Sequence, residues 1–93
     1  MTIFVLAFDI KDKQVSTEKY ERLKAELLNL NAHEVQSSLW AVNLNNTAKD
    51  IIDHFSNYLS TNDRLWVSAV RVNHYQYRGA LSGTNNWFTF NKN

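Results

Sequence analysis

From Thr2 to Ile10 the chain reads TIFVLAFDI, and no other segment constrains the fold as much. Ile3, Val5 and Ala7 fall on one side of an extended strand, and Phe4, Leu6, Phe8 and Ile10 on the other. A strand apolar on both sides belongs at the centre of a sheet, covered on each side by helices or by a partner subunit. Its last residue is Asp9, and the polar stretch from Lys11 to Val15 reads as a loop.

Helical and extended periods then alternate. Ser16 is placed to cap a helix with Glu18 in its first turn, and Tyr20, Leu23, Leu27 and Leu30 recur at three- and four-residue spacing. Residues 34–44 alternate, with Trp40, Val42 and Leu44 on one side. They predict either two short strands joined by a tight turn at Ser37-Ser38 or one strand bent there by a bulge. Thr47-Ala48-Lys49-Asp50 has the form of a capping box with Asp in the usual Glu position, opening a helix that buries Ile51, Phe55 and Tyr58. After the turn residues 60–63, Leu65 to Val72 is rich in β-branched and aromatic residues and predicts a strand. The only glycines, Gly79 and Gly83, predict a loop over 79–86, with a short last strand from Trp87 to Phe90.

The order is strand, helix, strand pair, helix, strand. With right-handed crossovers it predicts an α+β, ferredoxin-like βαββαβ domain over residues 1–78, a four-stranded antiparallel sheet with both helices on one face. Residues 79–93 form a C-terminal extension. The helix-free face needs cover, with Trp40 and Trp66 expected on it, and a second copy of the chain is the expected cover.

A chain of 93 residues holds one domain and buries only roughly 60–65% of its unfolded surface, which leaves little room to enclose a small ligand. With no cysteine there is no disulfide, thiolate metal site or cysteine nucleophile. No apolar run is long enough to span a membrane and the start lacks a basic leader, so a cytoplasmic protein is expected. Residues 1–63 carry six Lys/Arg against nine Asp/Glu, a balance of −3. Residues 64–93 carry Arg64, Arg71, Arg78 and Lys92 with no acid, a balance of +4, beside two of the three tryptophans. A basic, aromatic terminus suits an anionic partner.

Asp9 is the first candidate for chemistry. A carboxylate at the end of an apolar strand is costly unless hydrated, hydrogen-bonded or coordinated. It either accepts amides of the adjoining loop or, paired with its symmetry mate in a dimer, shares a divalent cation. Ser37 and Ser38 stand where the second strand breaks, where hydroxyls and amides bind phosphate or satisfy the local backbone. His33, His54 and His74 have no metal-ligand spacing and read as surface residues. No glycine-rich phosphate loop, nucleophile elbow or paired-histidine zinc helix is present.

Ala7-Phe8-Asp9-Ile10, Arg22-Leu23-Lys24, Val35-Gln36-Ser37-Ser38-Leu39-Trp40 and Asp63-Arg64-Leu65-Trp66, in that order, resemble the CRISPR-associated Cas-two family over about residues 2–72. The resemblance implies a homodimer that binds duplex DNA and bridges integrase subunits during spacer acquisition. It also implies, for some members, a metal-dependent nuclease in which the residue matching Asp9 holds Mg2+ or Mn2+ across the dimer. The virulence-associated protein D toxins, which are ribonucleases, are the nearest alternative. The chain departs from the family at Lys11-Asp12-Lys13-Gln14, where an arginine run is usual, and at Ala41, where Glu is frequent.

The resulting expectation is a dimeric DNA- or RNA-binding adaptor. Lys11, Lys13, Ser38, Arg64, Arg71 and Arg78 would contact the nucleic acid, and Tyr75 or Trp87 would stack on bases. The alternative is a Mg2+- or Mn2+-dependent nuclease built on Asp9. A protein-recruiting module that works by strand addition is the third reading.

Overall fold

The structure is a computed structural model that describes residues 1–11 and 16–91. Lys13 and the cap expected from the Ser16 side chain lie outside the described residues. The chain forms β1 (Thr2–Asp9), α1 (Ser16–Asn29), β2 (His33–Gln36), β3 (Leu39–Leu44), α2 (Ala48–Phe55) with a 3-10 turn (Ser56–Tyr58), β4 (Arg64–Val70) and α3 (Thr84–Phe90). The strands lie in the order β2-β3-β1-β4 and all pairings are antiparallel. This is the α+β, ferredoxin-like arrangement, with one further helix at the C-terminal end.

Local chemistry explains the element ends. At the start of α2 the Asp50 amide donates to Thr47 Oγ1 and the Thr47 amide donates to Asp50 Oδ2, both at 3.1 Å, which closes the capping box. The exit from α1 is a Schellman turn. Asn31 takes φ +59°, its amide donates to the Leu28 carbonyl, and the Ala32 amide donates to the Leu27 carbonyl. Between β2 and β3 both features expected as alternatives occur together: a two-residue turn at Ser37-Ser38 and a register shift between Glu34 and Gln36.

Cross-strand partners point to the same side of a sheet. Leu6 pairs with Trp40 and Val67, and Phe4 pairs with Val42. These side chains meet Leu23 and Leu27 of α1 and Ile51 and Phe55 of α2 in the main core. Trp40 is therefore not on the helix-free face, as expected from the sequence, but fully buried on the helix side. Trp66 pairs with Ala7 and does lie on the other face, 69% exposed.

The helix-free face is covered in part by the chain itself. The C-terminal segment is neither a loop nor a strand over 84–90 but the helix α3. Gly83 adopts φ +92°, which glycine tolerates, and the Trp87 amide donates to its carbonyl at 2.9 Å. At the start of α3, His33 Nε2 lies 2.8 Å from Thr84 Oγ1, and just past its end Asn43 Nδ2 donates to Asn91 Oδ1. Trp87 stacks on the His33 ring and donates its indole N–H to the Asn31 carbonyl at 2.9 Å. Between these anchors Ile3, Val35 and Ala41 are buried on the side away from the main core. The Leu81 amide donates to the Val35 carbonyl at 2.8 Å, so the extension also reaches the edge of β2. No helix among the described residues is long and apolar enough to cross a membrane.

Candidate functional site

In an antiparallel sheet the end of a central strand meets the beginnings of its neighbours. The end of β1 accordingly lies between the start of β3 and the start of β4. Ala7 pairs with Leu39 on one side and Trp66 on the other, and Asp9 pairs with Arg64. The result is an open groove of about 480 Å³ lined by Ala7, Asp9, Ser38, Leu39, Arg64 and Trp66, among others. Three residues singled out from the sequence, Asp9, Ser38 and Arg64, thus converge from three separate segments.

Their polar groups are free to meet a ligand. Asp9 and Arg64 are exposed, and among the described residues neither side chain has a hydrogen bond or an ion pair. The loop amides of residues 12–15 considered as partners for Asp9 lie outside the described residues. Ser38 sits at φ +61°, a region that costs a residue with a Cβ roughly 1–2 kcal/mol. Its carbonyl accepts the Phe8 amide at 3.1 Å, which ties the turn to β1, and its hydroxyl has no hydrogen-bond partner among the described residues.

Beside the groove, Asp63 organises three segments. Its carboxylate accepts Lys19 Nζ at 2.8 Å, the Ser60 amide at 2.7 Å and the Lys11 amide at 3.0 Å. Burial pushes the Asp63 carboxyl up, but Lys19 and the two amides outweigh it and hold the pKa at about 2. The contact brings Lys11 to the residue preceding Arg64. Sequence reasoning placed Asp63 in the turn and in the Asp63-Arg64-Leu65-Trp66 motif but did not foresee its contacts with Lys19 and Lys11.

The other sequence candidates lie elsewhere. Arg71 follows the far end of β4, about 23 Å from Arg64 at ~3.3 Å per residue. Arg78 immediately precedes the extension and does not line the groove. Trp87 and Tyr75, expected to stack on bases, are half-buried and occupied in packing, Trp87 on His33 and Tyr75 on Phe88. His33 is likewise a clasp for α3 rather than a surface residue. Thr84 Oγ1 donates to the Leu81 carbonyl at 2.7 Å, so it accepts from His33 Nε2–H. His54 is exposed and contacts Glu26.

Within one chain, the described residues assemble no ligand set for Mg2+ or Mn2+. Among the described residues no three His, Cys, Asp or Glu groups converge. Asp9 offers a single carboxylate, and its nearest cross-strand neighbour is a cation. No known protein-family model matches the chain.

Proposed function

We propose that the chain is a nucleic-acid-binding protein of the Cas-two type, which works as a homodimer and serves as an adaptor in spacer acquisition beside an integrase subunit. The observation that carries this reading is the convergence of Arg64, Ser38 and the Lys11 backbone at one end of the sheet. Arg64 presents five N–H donors in a planar fork suited to phosphate, and the Ser38 hydroxyl adds a neutral donor. The exposed Trp66 indole offers an apolar surface next to them. Phosphate contacts position a nucleic acid without reading its sequence, in keeping with an adaptor.

Fluorescence anisotropy with labelled DNA and RNA at two salt concentrations tests the reading. Affinity should fall as salt rises, and Arg64→Gln should weaken binding and flatten the salt slope by about one. Binding indifferent to salt, or unchanged in Arg64→Gln, ends it.

One observation favours a second reading, an Asp9-dependent nuclease in which two copies share Mg2+ or Mn2+: the Asp9 carboxylate is exposed and has no partner among the described residues. Asp9→Asn in rigorously purified protein should then abolish cleavage, and activity that persists belongs to another site or to a contaminant.

A further inference from the structure

Leu44 pairs with Thr2 whereas Leu39 pairs with Ala7, so β3 ends at the opposite end of the sheet from the groove beside Asp9. There α1, α2 and the end of β3 border a pocket of about 210 Å³. Its floor is apolar: Ile51 and Phe55 are buried, and Leu30 and Leu44 pack against the same core. Its rim is acidic. Glu26 stands on α1, Asp50 and His54 stand one turn apart on α2, and neither lysine nor arginine lines the pocket. Glu26 Oε2 meets His54 Nε2, and Oε1 accepts Asn29 Nδ2 at 3.4 Å, which uses two of the roughly four acceptor directions of a carboxylate. α1 has no basic residue in its last turn, so the negative end of its dipole reinforces the Glu26 charge. The Thr47 amide hydrogen-bonds Asp50 and holds its carboxyl below the usual value, so Asp50 remains an anion.

We infer that this pocket binds a short aliphatic diamine, with one ammonium against Glu26, the other against Asp50, and the methylenes on the apolar floor. The volume admits about seven non-hydrogen atoms at the ~30 Å³ that a water takes in the liquid, the size of a diamine with about four or five methylenes. The reach agrees. His54 contacts Glu26 and lies four residues along α2 from Asp50, a helix rise of about 6 Å. A metal cation gains nothing from the floor and a purely apolar molecule gains nothing from the rim, whereas the diamine uses both. Glu26 is the stronger anchor, because its side chain is only 18% exposed and Asp50 faces solvent. The pocket shares no residue with the groove, so the inference stands apart from the nucleic-acid reading.

Titration calorimetry with putrescine and cadaverine, diamines of that length, tests the inference at about pH 8, where aliphatic amines are cations and histidines are ordinarily neutral. Each should bind saturably. Butylamine, which has a single ammonium, should bind about threefold more weakly than putrescine, and Glu26→Gln should weaken the diamines about tenfold. Imidazole NMR signals report the location: those of His54 should move during the titration while those of His33 and His74 stay in place. Thermal melts confirm that Glu26→Gln folds; should it fail, the butylamine comparison and the His54 signals decide the matter on the wild-type chain. The inference is overturned by the absence of saturable binding, by butylamine that binds as tightly as putrescine, by a folded Glu26→Gln variant without effect, or by signals that move at His33 or His74 instead of His54.

Discussion

Lys19 Nζ lies 2.8 Å from Asp63 Oδ2, and the two side chains are only 13% and 1% exposed. The pair joins α1 to the turn that launches β4, and so fixes where Arg64 enters the sheet. Because Asp63 is held at about 2, below the ordinary carboxylate value of 3.8, the folded state favours its ionised form. That contribution, about 2 kcal/mol, is complete above pH 4 and is lost as pH falls from 4 towards 2. Urea unfolding at a series of pH values should show this decline in the wild type and a flatter profile in Asp63→Asn. Asp63→Ala, which removes the carboxylate and leaves Lys19 the Ser60 hydroxyl, should cost about 3 kcal/mol at neutral pH.

Ser38 supplies a second test. Its left-handed backbone predicts that Ser38→Gly leaves stability unchanged or raises it by up to about 1 kcal/mol, because glycine enters that region freely. Ser38→Val, branched at Cβ, should cost about 1–2 kcal/mol. Denaturant midpoints measure both, and equal effects would contradict the role of the backbone angle.

His33→Ala removes the bond to Thr84 and the ring beneath Trp87. The expected loss is about 1–2 kcal/mol, concentrated in the extension. Hydrogen exchange should quicken at the Trp87 amide while the amides of β1 and α2 stay protected.

Removing residues 79–93 goes further. A tail that merely hung from the domain could be cut without consequence, but this one covers Ile3, Val35 and Ala41. The truncated chain should melt at a lower temperature and aggregate more readily, which calorimetry and light scattering would record.

Much of this architecture could be read from residue order. The doubly apolar β1 announced itself as central, and Thr47 with Asp50 marked the start of α2. The side on which a tryptophan falls could not be read in the same way. Trp40 and Trp66 differ in that one pairs with Leu6 and the other with Ala7, and the register depends on the turn at Ser37-Ser38 and the bulge before it. α3 was hidden for another reason. Seven residues give barely two turns, too few for a helical period to stand out, and its stability comes from His33, Asn31 and Asn43, distant in sequence. The groove lay between these extremes: Asp9 at a strand end was legible, whereas its neighbour Arg64 emerges only once β1 and β4 are paired.

The bond from Leu81 to Val35 carries one more consequence. A sheet with two bare margins can add neighbours without limit and lengthen into a fibril. Here the β2 margin is obstructed by the chain's own extension, and among the described residues the β4 margin has no further strand beside it. Growth by strand pairing therefore has a single direction in which to proceed, and once that margin is occupied the assembly is finite.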